Sequence, residues 1–210
     1  MEKERLRTII VEAVQAFQKM PYVTTGISNR HVHLSQEDAD ILFGAGCGLT
    51  RMKDLAQPGE FACKETLSAV GPKGRIDNIR VLGPTRVATQ LELSLTDTFG
   101  IGVPCPVSES GNLGEARKIR IENRATGAYV ERKCGIVAMR HVHLSQETAD
   151  RFGLKDKQIV SLEYGGGSRA IRFGRVLLRV SPSFADEAHL DTDEANAGAL
   201  KNGDIGLIVA

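Results

Sequence analysis

The chain has 210 residues, a formal net charge of +1, 41% hydrophobic and 5% aromatic residues, and no Trp. That length can bury a sizeable core in two small domains or one large one, and the balanced charge offers no electrostatic footprint for nucleic acid or an anionic membrane. The first residues lack the apolar core and cleavage site of a secretory signal. Cys47, Cys63, Cys105 and Cys134 form neither a C-x-x-C pair nor a disulfide framework, so a reducing cytoplasm is expected.

Residues 1–20 stand apart. Leu6, Ile9, Ile10, Ala13, Val14 and Phe17 recur at helical spacing behind the charged start Glu2, Lys3, Glu4, Arg5 and Arg7, and Pro21 closes the segment. The spacing predicts an amphipathic N-terminal helix, which either packs on the body of the protein or docks on a partner.

Beyond Pro21 the pattern changes to short apolar-alternating runs. Residues 23–28, 76–82, 87–95, 118–122, 135–139, 159–164, 171–180 and 205–209 are predicted as strands. Turn chemistry separates them at Pro58-Gly59, Gly71-Pro72, Gly83-Pro84, residues 123–127, residues 165–167 and Asn202-Gly203. Neither glycine run, at residues 44–48 or 165–167, fits the frame of a phosphate loop.

Residues 30–40 read R-H-V-H-L-S-Q-E-D-A-D and residues 140–150 read R-H-V-H-L-S-Q-E-T-A-D, so ten of eleven letters recur. A repeat of this kind predicts a duplicated domain. Four of the five histidines, His31, His33, His141 and His143, fall in the two copies. On extended chain, residues two apart point to one side, so each H-x-H presents two imidazoles together, as a tetrahedral metal requires. After each copy, Ser35 or Ser145 is placed to cap a short helix. The fifth histidine, His189, is a plausible third ligand for one copy. H-x-H-x-x-x-E also resembles the first cupin motif, but Glu37 and Glu147 fall in the capped helical turn and no second cupin motif follows.

If residues 86–95 form one strand, Val87, Leu91, Leu93 and Leu95 share an apolar face, and Arg86, Gln90, Glu92 and Ser94 share the other. That polar face is either a solvated surface or a site, with Glu92 as an oxygen ligand and Arg86 as an anion clamp.

Together, S-N-R-H-V-H-L-S at 28–35, Q-P-G-E-F-A at 57–62, V-G-P-K-G at 70–74, R-V-L-G-P at 80–84, R-H-V-H-L-S at 140–145 and H-L-D-T-D-E-A-N-A at 189–197 resemble the PduL-type phosphotransacylases, or phosphate propanoyltransferases. The likeness runs from about residue 22 to the end of the chain. It implies a mainly β fold of two tandem small barrels with short capping helices: a first domain at residues 30–139 and a second at 140–210, joined by the strand at 22–29. It also implies interconversion of acyl-CoA plus phosphate with acyl phosphate plus coenzyme A at a dizinc site between the barrels. By motif position, His31, His33 and Glu92 would hold one zinc, and His141, His143 and His189 the other. Arg86 would bind phosphate, and Ser28, Lys53, Arg80, Leu82, His189 and Asn196 would contact coenzyme A.

Direct attack of phosphate on the thioester is expected, because no Ser or Cys has an unclaimed histidine to serve as its base. Family members housed in bacterial microcompartments, such as those for propanediol degradation, carry an N-terminal encapsulation helix. The resemblance therefore shifts residues 1–20 toward docking on shell or core proteins. It leaves a homo-oligomer and the choice between acetyl and propanoyl open. Rival readings are a dizinc hydrolase of thioesters or phosphoesters and a non-enzymatic zinc-stabilised scaffold.

Overall fold

The structure, a computed structural model, describes residues 2–165 and 167–210. The chain runs α1 (Glu2–Gln18), β1 (Tyr22–Ser28), β2 (His31–Ser35), α2 (Gln36–Phe43), β3 (Arg51–Asp54), β4 (Phe61–Val70), β5 (Arg75–Arg86), β6 (Gln90–Glu92), α3 (Leu95–Ile101) and β7 (Val107–Ser108). It continues through β8 (Arg117–Glu122), β9 (Tyr129–Ala138), β10 (His141–Leu144), α4 (Gln146–Phe152), β11 (Ile159–Tyr164), β12 (Ile171–Val180), β13 (Glu187–Asp191), α5 (Thr192–Gly198) and β14 (Ile205–Val209).

The elements group into two compact units. One comprises residues 27–139 and 191–194; the other takes the described residues up to Gly26, with 140–190 and 195–210. In the first unit β2 lies between β5, parallel to it, and β6, antiparallel to it. Strand β4 follows antiparallel to β5, β8 pairs antiparallel with both β4 and β9, and β9 closes the ring parallel to β6. In the other unit β10 lies between parallel β12 and antiparallel β13, and the closed barrel continues through β11, β14 and β1. The two six-stranded rings match strand for strand, with β1 standing in one where β9 stands in the other. The duplication in the sequence is thus a duplication of pairing order as well.

Each ring encloses its own core. Alternation along the strands sends Val32, Leu34, Leu67, Val81, Leu91, Ile119 and Ile121 into one, and Val142, Leu144, Leu162, Val176, Leu178 and Leu190 into the other. Side chains of this kind each contribute roughly 1.5–3 kcal/mol by leaving water, which fixes the registers that carry the polar residues beside them.

The repeated serines behave as read. Ser35 Oγ accepts from the Asp38 amide at 3.1 Å and Ser145 Oγ from the Thr148 amide at 3.2 Å, which starts α2 and α4. Residues 86–95, however, are not one strand. Strand β5 ends at Arg86, Val87 stands fully in solvent, β6 covers only Gln90–Glu92, and Leu95 opens α3. The break has local causes. The Thr89 hydroxyl is bonded to Asp38 and to the Ser35 amide at the α2 N-terminus, and Ser94 with Asp97 forms a capping box. Gly83-Pro84, read as a turn, instead lies within β5 through a cis peptide, with Gly83 set so close to the Phe61 ring that a side chain would collide with it. The centre of the 165–167 turn lies outside the described residues.

Helix α1 forms over the predicted segment. Leu6, Ile9, Ile10, Val14 and Phe17 are each about half exposed on it, and its last turn meets the barrel through Phe17 stacked on Tyr22 at 4.2 Å and the Gln18 carbonyl bonded to Arg151. No helix among the described residues is long and apolar enough to cross a membrane.

Candidate metal and phosphate site

The register of β2 decides what its histidines face. His31 pairs with Glu92 and His33 with Gln90 across the β2–β6 ladder, while Arg80 and Leu82 sit opposite the same two histidines on β5. Because side chains directly opposite share a face, His31, His33 and Glu92 converge, with their donor atoms within 4.8 Å of one another. In the other ring His141 pairs with His189 and His143 with Glu187, and His141, His143 and His189 converge to the same limit. His189 thus occupies the register position of Glu92: two histidines from the first strand of the ring, a third donor from its antiparallel neighbour.

Local contacts hold these strands in place. Arg30 grips Asp97 with two nitrogens, Nη2 to Oδ1 at 2.8 Å and Nε to Oδ2 at 2.9 Å, anchoring the start of β2 to the cap of α3. His31 Nδ1 donates to the Asn29 carbonyl at 2.8 Å, which turns Nε2 toward Glu92 Oε2, 3.5 Å away. Nε2 and Oε2 set side by side in this way are two donor atoms that one cation can bridge. His33 Nδ1 and both ring nitrogens of His143 are buried without a hydrogen-bond partner.

Burial pushes His33 down to about 2, helped by His31 and Arg86, with a hydrogen bond to the Leu82 backbone working the other way. Burial likewise takes His143 down to about 3, assisted by His141 and Arg179. Both rings are therefore neutral at physiological pH, the form that ligates a metal. In the second set the three imidazoles stand 4.8 Å apart, centroid to centroid, on every side. Buried neutral imidazoles with unpartnered nitrogens are costly unless something binds them, so both donor sets fit a divalent metal, and their nitrogen-rich character suits zinc.

Arg86, opposite Ser35 on β5, comes close enough to His33 to depress its basicity. It is on the strand flanking β2 opposite to the one that carries Glu92, so the two residues read together as one polar face reach β2 from either side.

A model of the phosphate propanoyltransferase family matches residues 24–201. A phosphate propanoyltransferase of Thermotoga maritima is 49% identical over 198 residues, covering 94% of both chains, and one of Clostridioides difficile is 41% identical over 204 residues, covering 97% of both. The chain belongs to the phosphate propanoyltransferase family. It is accordingly an enzyme of the phosphotransacylase class, and the resemblance read from its motifs holds along nearly its whole length.

The residues that phosphate propanoyltransferase motifs single out for coenzyme A occupy varied settings here. Ser28 ends β1 half-buried, Lys53 is exposed on the edge strand β3, and Asn196 is exposed on α5. Arg80 Nη1 donates to the carbonyls of Cys63 at 2.9 Å and Lys64 at 2.8 Å. Sequence reasoning missed Glu60, whose Oε1 accepts from Arg86 Nη2 at 2.8 Å, although it lies inside the quoted Q-P-G-E-F-A motif. It also missed Ser110, which bonds the Glu92 carboxylate from a loop with no motif of its own.

Proposed function

We propose that the protein transfers a propanoyl or acetyl group between coenzyme A and orthophosphate, giving acyl phosphate and free coenzyme A or the reverse. Zinc would be held by His31, His33 and Glu92 in one ring and by His141, His143 and His189 in the other. The observation that carries this reading is the matched convergence of three donors at the same register in both rings of a chain from this family.

When bound, zinc would supply positive charge toward phosphate oxygens and Lewis acidity toward the thioester carbonyl. Arg86 presents the rigid fork of donors that a phosphate dianion needs, and Glu60 holds one arm of it. A phosphate oxygen attacks the acyl carbonyl carbon, the carbon–sulfur bond breaks, and coenzyme A leaves as the thiolate. Direct attack rather than an acyl-enzyme is supported by three of the four cysteines, whose buried thiols are poorly suited as nucleophiles. Burial pushes Cys63 and Cys105 up to about 11 and Cys134 to about 12. Ser28, Lys53, Arg80, Leu82, His189 and Asn196 are the proposed contacts for coenzyme A.

Residues 1–20 are proposed as an encapsulation helix that docks on shell or core proteins, placing the enzyme in a cytoplasmic microcompartment. The apolar side chains of α1 that stand half exposed support that role.

The test is thiol release from propanoyl-CoA by zinc-replete protein, with and without phosphate. Phosphate-dependent release with acyl phosphate as product is the expected result. Phosphate-independent release would mean a thioesterase, and no release would leave a zinc-bound scaffold. Radiolabelled acyl group retained on denatured protein would overturn direct attack.

A further inference from the structure

Glu92 does not stand alone in its register. Gln90, on the same strand and the same face, donates from Nε2 to Glu92 Oε1 at 2.5 Å, and the Ser110 hydroxyl donates to that oxygen at 2.9 Å. Gln90 Nε2 also reaches Ser110 Oγ at 2.9 Å, closing a triangle. The amide cannot be turned over, because the Gly111 N–H donates to Gln90 Oε1 at 2.8 Å. Gly111 itself has φ +97, a conformation that favours glycine. Gln90 is 2% exposed and Glu92 is also buried, so the bond between them is withdrawn from water, where hydrogen bonds to a carboxylate are strongest, while Ser110 is half-buried.

We infer that Gln90 and Ser110 are positioning residues for the metal centre of His31, His33 and Glu92: they occupy one carboxylate oxygen so that Glu92 presents the other, Oε2, as a single-oxygen ligand. The inference rests on the zinc reading of that centre. Oε1 accepts from Gln90 and Ser110, and Oε2 is the oxygen that faces His31 Nε2 at 3.5 Å.

The duplicated ring places a polar side chain at the same position. At the register position of Gln90 it carries Glu187, opposite His143, and Glu187 Oε2 lies 3.2 Å from His189 Nε2. In both rings the side chain two residues before the third donor lies against that donor: Gln90 is hydrogen-bonded to Glu92, and Glu187 comes within 3.2 Å of His189.

The experiment measures zinc stoichiometry and affinity by chelator competition on the full chain, for wild type, Ser110→Ala, Ser110→Thr and Gln90→Leu. Ser110→Ala should weaken one of the two zincs about 10- to 100-fold, the loss typical of removing a partner of a metal ligand, and leave the other unchanged. Ser110→Thr, which keeps the hydroxyl, should restore most of that loss, and Gln90→Leu should weaken the same zinc further. The melting temperature of the chelator-treated Ser110→Ala protein should match wild type, which separates positioning of a ligand from general stabilisation. Wild-type affinity at both centres in folded Ser110→Ala and Gln90→Leu overturns the inference. A His31→Ala chain that keeps both zincs overturns the metal reading itself, and this inference with it.

Discussion

Arg86 and Glu60 form an ion pair, Nη2 to Oε1 at 2.8 Å, between the end of β5 and the turn that leads into β4. Each side chain is about a third exposed, so the pair adds little to stability, about 0–1 kcal/mol. Its consequence is geometric: one nitrogen of the guanidinium is fixed and the rest of the fork stays oriented beside His33. Arg86→Ala should lower turnover with phosphate on the order of 10²- to 10³-fold, the scale of losing a donor that stabilises developing charge. Zinc content should remain at the wild-type value. Arg86→Lys should recover only part, because an ammonium cannot form two parallel bonds to phosphate. Steady-state kinetics beside metal analysis checks this, and zinc lost with Arg86 would make the arginine structural.

The two donor sets predict a countable outcome. His33→Ala and His143→Ala should each remove one of two zinc equivalents, because each strips a buried neutral imidazole from a different group of three. Chelation of the wild-type chain should abolish phosphate-dependent thiol release, and added zinc should restore it. Metal analysis after gel filtration checks the stoichiometry. Loss of both equivalents in either variant would show that the centres bind as one unit.

The same burial makes the metal-free protein sensitive to acid. His33 and His143 have folded-state values near 2 and 3, below the ordinary histidine value of 6.5 that they regain on unfolding. A folded value below the unfolded one means that the unfolded chain takes up protons first. The stability these rings contribute is therefore complete above pH 6.5 and is lost as pH falls toward 3. Each should cost on the order of 1 kcal/mol per pH unit in that window. Urea melts of chelator-treated protein at pH 7 and pH 5 should show this loss, and His33→Leu should flatten it. A melting midpoint that does not move between those pH values would contradict neutral burial.

What the sequence showed and what it hid divide along physical lines. The H-x-H pairs and their serine caps were legible because both depend on local spacing, two residues for a strand face and three for a cap. His189 was read as the fifth histidine and Glu92 as an oxygen ligand on a polar strand face, and the resemblance assigned each to a histidine pair, while their equivalence appears only in the ladders that set Glu92 against His31 and His189 against His141. No sequence spacing encodes a register. The break after Arg86 was hidden because Val87 is apolar yet exposed, and Leu91 and Leu93 alternate correctly on either reading. Two cap signals could have shown it or its counterpart: S-L-T-D at 94–97 forms the cap of α3, and D-T-D-E at 191–194 forms a reciprocal Asp191–Glu194 cap on α5. Strand β4 was missed because Lys64, Glu65 and Thr66 interrupt its apolar pattern at the bulges.

Helix α1 yields the last prediction. Among the described residues, its contacts with the barrel include the Phe17–Tyr22 stack and the Arg151 bond to the Gln18 carbonyl, whereas Leu6, Ile9, Ile10 and Val14 each keep about half their surface in water. A helix whose apolar stripe is this exposed adds little burial to the fold. The barrel's own edge begins one residue later, where the Pro21 carbonyl accepts from the Ile208 amide at 3.0 Å and Tyr22 pairs with Leu207. Deleting residues 1–20 keeps both of those contacts. The truncated enzyme should retain phosphate-dependent turnover within about twofold and lose recruitment to shell or core proteins. Ile9→Glu with Ile10→Glu in the full chain should reproduce the recruitment defect without shortening it, since charges on the apolar stripe oppose docking while leaving the helix intact. Activity assays and co-localisation of a fluorescent fusion with compartment shells read the two effects separately. An inactive or insoluble truncation would instead assign the helix to the fold.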